Sequence, residues 1–322
     1  MNVLLTGCAG FIGWKTAELL IDQGHQVVGI DNLNDYYDVA LKNWRLKQLT
    51  HLEGFQFERV DLDNRDELNA LFAAHPLEAV INLGGRAGVR YSMENPHAYV
   101  ETNAVGTLNI LEAMRSHGIQ KLVLASTSSL YAGQKMPFLE SLPVNEPISP
   151  YAASKKFAEV MAYTYHHLYD FDISAVRFFT VYGPAGRPDM APLRFVRWID
   201  EGTPITLFGD GSQSRDFTYV DDIARGTIAA LRPVGYEIIN LGGGNNPISI
   251  SKMIETFESR LGKKAVIDEQ PFIKADMMHT WAEISKAKRL LDWEPQVSFE
   301  EGTQRLVDWY LAEKEWVSQL VL

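Results

Sequence analysis

The stretch Gly7-Cys8-Ala9-Gly10-Phe11-Ile12-Gly13 restricts what this chain can fold into more than any other. It follows at once on the apolar run Asn2 to Thr6, which reads as a buried strand. It then opens a helical pattern from Phe11 to Gln23 that Gly24 stops. A second apolar run, Gln26 to Ile30, ends at Asp31. Strand, glycine turn, helix, strand and terminal acid, in that order, are the fingerprint of a dinucleotide-binding βαβ unit. The spacing is G-x-x-G-x-x-G rather than G-x-G-x-x-G, but the physical demand is the same. Glycines let the backbone turn tightly and approach a pyrophosphate, which rests on the positive end of the helix. Asp31 is placed to accept from the adenosine ribose hydroxyls, and a carboxylate there repels a 2′-phosphate, so NAD is expected over NADP. Gly7, Gly10, Gly13 and Asp31 are thereby cofactor-binding candidates, and Cys8 reads as a small filler within the turn.

The alternation continues. Phe55 to Val60 reads as a strand ending in Asp61-Leu62, Asp66 to Ala74 as a helix, and Ala79 to Leu83 as a strand ending in Gly84-Gly85. A long helix is expected after Pro96, from about Ala98 to Ser116, and Lys121 to Ala125 is the next strand. Such a pattern builds a parallel, doubly wound α/β sheet of Rossmann type. Its ligands sit at the carboxyl ends of the strands, where Asp61, Gly84, Gly85 and Ser126 fall. Ser126-Thr127-Ser128-Ser129 is ordinary turn chemistry by composition. In this fold the cluster lies on the cofactor side.

Pro147-Ile148-Ser149-Pro150 suits a helix start, and the helical pattern behind it runs to about His167. On that helix Tyr151 and Lys155 share a face. A phenol titrates near about 10, too high for a base at neutral pH. A neighbouring ammonium stabilises the phenolate and brings the tyrosine nearer the working range. Spacing alone also fits a surface tyrosine beside a solvated lysine; the cofactor fingerprint upstream is what gives the pair chemistry. Thr127 can share the substrate proton with the phenolate. The loop from Gly133 to Pro150 is expected to cover part of the site.

After a strand from Asp172 to Phe179, strands shorten and Gly/Pro punctuation increases. This places a dinucleotide-binding domain at 1–180 and a smaller C-terminal α/β substrate lobe at 181–322, with the chain crossing between them more than once. Lysines and arginines number 30 against 41 acids, a net charge of −11, which disfavours nucleic acid and polybasic membrane contact. Against that background Arg187, Arg194, Arg197 and Arg215 crowd one region. A cationic pocket in an acidic chain implies an anionic substrate, for which arginine forks suit phosphate and carboxylate. Surface ion pairing competes for Arg194 and Arg197. Asp221-Asp222 reads as a helix N-cap, and His166-His167 lacks metal spacing, so no metal is expected. Cys8 is the only cysteine, no apolar run reaches about 18 residues and no leader pattern is present, so a cytoplasmic protein is expected. Ser298 to Trp316 reads as an amphipathic closing helix.

Taken together these residues resemble the extended short-chain dehydrogenase/reductase superfamily, and within it the nucleotide-sugar 4-epimerases. The resemblance spans nearly the whole chain. GCAGFIG matches the glycine turn, Tyr151 and Lys155 the Y-x-x-x-K pair, and Thr127 in STSSLYAG the active-site hydroxyl. AGVRYSMENPHAYVETNAVGTLNILE, RFFTVYGPAGRPDMA and LFGDGSQSRDFTYVDDI are most similar to the UDP-glucuronate 4-epimerases. The resemblance implies that Tyr151 removes the proton of the sugar 4-hydroxyl while NAD takes up the C4 hydride, that Lys155 binds the nicotinamide ribose, and that Thr127 bridges to the 4-oxygen. It adds Phe11, Ile12, Asn32, Leu62, Leu83, Asn103, Ser126 and Phe178 to the cofactor contacts. On the UDP-sugar it places Arg90, Ser128, Ser129, Thr180, Arg187, Arg215 and Asp276. Arg215 falls on the diphosphate, and Arg187 and Thr180 on the sugar carboxylate. It also implies a homodimer through the helices at 98–116 and 151–168.

A 4-keto uronic acid is a β-keto acid, so its carboxylate must be held out of line with the carbonyl. Related decarboxylases and dehydratases carry a glutamate in T-x-E-V-Y; here that position is Ser129. This favours UDP-glucuronate 4-epimerisation over three alternatives: epimerising a neutral or N-acetylated sugar, decarboxylating a uronate, or binding NAD without chemistry. Three departures from the family pattern stand out. Asn82-Leu83-Gly84-Gly85-Arg86 replaces H-L-A-A-Q, bringing an extra charge near cofactor or sugar. Tyr131-Ala132-Gly133 shifts a turn, and Lys274-Ala275-Asp276 replaces P-G-D.

Overall fold

The computed structural model describes residues 1–244, 247–273 and 276–321; the Lys274-Ala275 departure therefore lies outside the described residues. The strands of the first half are β1 (Asn2–Thr6), β2 (Gln26–Ile30), β3 (Phe55–Glu58), β4 (Ala79–Asn82), β5 (Lys121–Thr127) and β6 (Asp172–Phe178). Those of the second are β7 (Thr180–Tyr182), β8 (Ile205–Phe208), β9 (Ser214–Arg215), β10 (Phe217–Tyr219), β11 (Tyr236–Leu241), β12 (Ile248–Ser249) and β13 (Ile267–Gln270). One sheet of order β11-β6-β5-β4-β1-β2-β3 is parallel throughout. This is the expected doubly wound Rossmann-type arrangement. β1, β4 and β5 are apolar runs because both of their faces are covered. Val3, Leu5, Ile81 and Val123 enter one core, and Leu4, Val80, Leu122 and Leu124 the other. Each such side chain contributes about 1.5–3 kcal/mol on burial.

Strand order reverses between β1 and β4, the point where such sheets bind ligands. The two strand ends are tied together there. Thr6 Oγ1 donates to Asn82 Oδ1 at 2.6 Å and accepts from the Gly84 amide at 2.8 Å. A Cβ on Gly7 would stand 2.9 Å from Gly84 Cα, so the two loops touch backbone to backbone.

Several boundaries differ from the sequence reading. β5 runs through Thr127, so the hydroxyl cluster begins inside a strand and then turns: Ser128–Tyr131 is a 3-10 turn whose Ser129 amide donates to Thr127 Oγ1. The helix after Pro96 is three pieces, Pro96–Tyr99, a π-helical Val100–Val105 and Gly106–His117. A helix at Val39–Leu49, with Asp38 Oδ1 accepting from the Ala40 amide at 2.9 Å, was not legible. Asp221-Asp222 does not cap its helix. The cap is Tyr219, and Asp222 lies in the first turn of Val220–Ala229, where its Oδ2 accepts from the Gln296 and Val297 amides. The closing helix runs Phe299–Ala312, with a short Lys314–Val317 turn beyond.

The second half pairs β7 with β10, β8 with β13 and β9 with β12 in three small sheets, while β11 goes back to the edge of the main sheet beside β6. Among the described residues, no helix is long and apolar enough to cross a membrane.

Candidate active site

A cavity of about 1070 Å³ runs across the carboxyl ends of the central strands and under β8, β9 and the Asp276 segment. At one end lies the glycine turn. Gly10 caps the Phe11–Asp22 helix, no side chain caps that helix, and no acid occupies its first turn. Gly7 has φ +69°, a Cβ on Gly10 would stand 2.9 Å from the Gly7 carbonyl oxygen, and one on Gly13 only 2.0 Å from it. The result is a bare, positive helix end facing the cavity, which fits a pyrophosphate. Gly7, Gly10, Phe11, Ile12, Gly13, Asp31, Asn32, Asp61, Leu62, Leu83, Gly84, Gly85, Ser126 and Phe178 all line this space. Asp31 accepts from the Leu33 amide at 2.8 Å, and its Oδ1 stands 3.6 Å from Lys42 Nζ. Asn32 Nδ2 donates to Asp61 Oδ2 at 2.6 Å. Asn103 does not line the cavity. Its amide is bonded to both backbone groups of Arg86, at 2.8 and 2.9 Å, so any effect on a ligand passes through that residue.

In the middle stand Tyr151, Lys155 and Thr127. Ser149 caps the Pro150–Tyr169 helix by accepting from the Ala152 amide at 3.2 Å, with Pro150 in its first turn. Thr127 Oγ1 accepts from the Ser129 amide at 3.1 Å, which brings Ser128 and Ser129 round to the same wall. The Ser126 hydroxyl donates to the buried Glu159 at 2.6 Å, and Glu159 in turn holds Arg177 at 2.8 Å.

Lys155 is anchored to the main chain of the neighbouring strand. Lys155 Nζ donates to the Ala125 carbonyl at 3.1 Å, and burial brings its amine down to about 8. Burial pushes the Tyr151 phenol up, and the opposing influences are a hydrogen bond with Thr127 and the positive charge of Arg187. Arg187 is thus a cation that favours the phenolate.

Arg187 itself is tightly held. Nε donates to Asp189 Oδ1 at 3.0 Å, and Nη2 donates to Asp189 Oδ2 at 2.6 Å, to the Ala87 carbonyl at 3.0 Å and to Tyr36 Oη at 3.4 Å. Burial opposes ionisation of Asp189, but the guanidinium overrides it and keeps the carboxyl below its usual range. Among the described residues Nη1 of Arg187 has no hydrogen-bond partner, so one arm of the fork remains for a ligand. Thr180 lies on the same wall. At the far end Arg215 Nη2 donates to Asp276 Oδ1 at 3.0 Å. Arg90 Nη2 stands 3.6 Å from Asp276 Oδ2, and its guanidinium lies 4.1 Å over the Phe208 ring. Arg194 lines the cavity, 4.5 Å over Trp198. Arg197 does not. It pairs with Glu201 and donates to the carbonyls of Val317, Ser318 and Leu320, binding the C-terminal turn.

The chain matches the family described as GDP-mannose 4,6 dehydratase over residues 4–306. It belongs to that family. Within it, the chain is 60% identical over 306 residues to a UDP-glucuronate 4-epimerase of Thermodesulfobacterium geofontis, covering 95% of each. It is 38% identical to UDP-glucuronate 4-epimerase 4 of Arabidopsis thaliana, covering 97% of this chain and 76% of the relative. A crystal structure of the UDP-glucuronic acid 4-epimerase of Bacillus cereus, in complex with UDP-glucuronic acid and NAD, superposes with a TM-score of 0.92. The two are 37% identical, with 97% of this chain and 100% of that one covered.

Sequence reasoning missed Tyr36, Lys42, Asp189, Trp198 and Phe208, all of which line the cavity of this family member. Tyr36 and Lys42 flank the unforeseen Val39–Leu49 helix start, for which Asp38 was the available signal. Asp189 stood in view as the acid after Arg187-Pro188, but only the fold shows that it grips Arg187.

Proposed function

We propose that this chain catalyses NAD-dependent 4-epimerisation of UDP-glucuronate to UDP-galacturonate through a transient 4-keto sugar. The observation that carries the reading is the meeting of Tyr151, Thr127 and the free arm of Arg187 midway along the cavity. They stand between a pyrophosphate cradle and the Arg90–Asp276–Arg215 cluster. NAD, when bound, supplies the oxidant for C4 and then the reductant. Gly7, Gly10, Phe11, Ile12 and Gly13 would hold its pyrophosphate, Asp31 its adenosine ribose, and Lys155 its other ribose. Tyr151 takes the proton of the 4-hydroxyl and later returns it, with Thr127 sharing that proton. Arg187 favours the phenolate that this requires. Its single free arm, with Thr180, holds the sugar carboxylate away from the alignment that releases CO2 and leaves the keto sugar able to turn. Arg215 and Arg90 hold the diphosphate. Ser129 leaves no carboxyl group, and so no general acid or base, at the position where the related dehydratases carry a glutamate.

The two lobes, 1–180 and 181–322, divide the work between cofactor and sugar nucleotide. The chain is proposed to act in the cytoplasm as a homodimer. Its dimer face is the exposed side of the Pro150–Tyr169 helix, where Phe157, Val160, Tyr163 and Leu168 lie open, together with the neighbouring Val100 and Val105. Light scattering that gave a monomer at working concentration would remove the dimer reading.

The deciding experiment follows UDP-glucuronate by NMR in the presence of the purified protein. UDP-galacturonate is expected. UDP-xylose or a 4-keto pentose would replace epimerisation by decarboxylation, and turnover of UDP-glucose but not UDP-glucuronate would move the substrate to neutral sugars. No change with any of these sugars would leave an NAD-binding protein without this chemistry.

A further inference from the structure

Four cationic side chains in the cavity have a resident carboxylate. Lys42 stands 3.6 Å from Asp31, Arg187 is forked on Asp189, and Arg90 and Arg215 share Asp276. Arg194 has none but lies 4.5 Å over the Trp198 ring; Arg86 also lines the cavity and has none. Among the described residues its guanidinium makes no hydrogen bond and no ion pair, and its Nε is buried without a partner. Its Nε is left unpaired away from water while the rest of the half-buried side chain opens on the cavity, an arrangement suited to an anion that arrives with a ligand.

The main chain beneath Arg86 is fixed with unusual care. Asn103 Oδ1 accepts from the Arg86 amide at 2.8 Å, and Asn103 Nδ2 donates to the Arg86 carbonyl at 2.9 Å and to Ser154 Oγ at 2.9 Å. Ser154 Oγ then donates to the Tyr151 carbonyl at 2.8 Å, so this lip is locked to the helix that carries Tyr151 and Lys155. The π-helical Val100–Val105 segment is what brings Asn103 to this place.

Position decides which anion. Arg86 follows Gly84-Gly85 directly, and Gly84 is the residue whose backbone touches Gly7. Arg86 therefore stands on the lip facing the bare end of the Phe11–Asp22 helix. Its guanidinium lies 5.8 Å from the Tyr36 ring, the ring that Arg187 covers from 5.4 Å. On its other side is Lys42, whose amine is brought down by burial first, with Arg86 adding to the effect. Arg86 thus shares Tyr36 with Arg187 and is near enough to Lys42 for its charge to be felt there, on the same side of the cavity as the glycine turn. The Asp276 cluster that faces the other diphosphate has its own two arginines.

We infer that Arg86 binds the pyrophosphate of the dinucleotide from the lip opposite the glycine turn and retains the cofactor through turnover, with Asn103 as its positioning residue. The inference rests on the NAD reading above. An enzyme that oxidises and then reduces the same sugar gains nothing from releasing NAD between the two steps, which gives such a clamp its use.

The test compares wild type with Arg86→Gln and Arg86→Lys. NAD retained by the purified holoenzyme is measured after dilution and gel filtration, and NAD and NADP affinity after reloading. Arg86→Gln is expected to weaken NAD by about ten- to a hundredfold, the worth of a charge-assisted hydrogen bond, and Arg86→Lys to recover part of it. Asn103→Ala should weaken NAD by less, and the double variant by no more than Arg86→Gln alone. The KM for the sugar nucleotide, measured with saturating NAD, should stay within about threefold in Arg86→Gln, since the diphosphate has its own arginines. Unchanged NAD affinity with a raised KM would assign Arg86 to the sugar and overturn the inference. So would a loss confined to NADP, which would make Arg86 a 2′-phosphate ligand. If wild type itself binds no NAD, the NAD reading fails instead. Arg86→Lys, with the same charge, separates these results from a folding defect.

Discussion

The two ends of the cavity are built from different material. The cofactor end is main chain: Gly7, Gly10 and Gly13 pack so closely that a single Cβ at Gly13 would overlap the Gly7 carbonyl, and Gly84 closes on Gly7 from the next strand. The sugar end is side chain. Arg187, Arg90 and Arg215 reach in from three separate segments, and each is held by a carboxylate, Asp189 or Asp276. A main-chain site is fixed by local sequence and moves only if the fold moves. A side-chain site is pre-oriented by its ion pairs, can be re-specified by substitution, and obliges an incoming anion to compete with the resident acid.

Tyr151→Phe strikes the point where the two ends meet, and the largest effect is expected there. kcat should fall by about 10²- to 10⁴-fold while retained NAD is unchanged. Turnover near wild type, followed by NMR, would mean that another group takes the proton. Gly13→Ala tests the rigidity of the main-chain end. Forcing a methyl against the Gly7 carbonyl should cost on the order of 1–3 kcal/mol of stability and empty the cofactor cradle. A thermal melt and an NAD assay that both match wild type would break the contrast.

Arg187→Ala is the counterpart at the side-chain end. Loss of the fork leaves Asp189 unpaired and should cost on the order of 1–3 kcal/mol of stability; UDP affinity should hold, and KM for UDP-glucuronate should rise about ten- to a hundredfold with CO2 release appearing. Equal losses for UDP and UDP-glucuronate would remove its role on the carboxylate.

The smallest effect concerns Lys155. Its amine titrates at about 8 in the folded chain against 10.5 in the ordinary case. Between those values the unfolded chain binds the proton more readily, so raising pH favours the fold. The burial penalty is full below about 8 and is relieved by 10.5. The melting midpoint of cofactor-free wild type, relative to Lys155→Met, should therefore climb across that window. A flat difference would mean that the ammonium is solvated.

What could be read from the sequence follows the same division. The glycine turn, Asp31, Asp61, Gly84 and the first six strands declared themselves because short, mostly apolar runs and glycine spacings are local signals. Tyr151, Lys155 and Thr127 were found as residue types at recognisable spacing. The other groups that act on the phenol were not, since they depend on side-chain direction in three dimensions: Lys155 donates to the Ala125 carbonyl, and the charge of Arg187 reaches Tyr151 from a distant segment. Asn103 was named by the resemblance alone, and its bonds to the Arg86 main chain depend on a π-helical segment that leaves no period to read. Arg197 follows the competing reading of surface ion pairing, with Glu201 as its partner. A local excess of arginines pointed to a pocket, yet this one binds the carbonyls of the C-terminal turn.

β11 adds a consequence at the level of the whole chain. The segment that carries Arg187 and Arg215 leaves the main sheet after β6, and β11, next to β6, brings the chain back. Cut after β7, the protein would present a bare hydrogen-bonding edge on β6, a template for aggregation. The sugar-side segment therefore cannot be swapped as a module between relatives without carrying the sheet's outermost strand with it. New substrate preferences in such a scaffold are reached by changing side chains in place, and a chimaera that respects only the 180 boundary is expected to be insoluble.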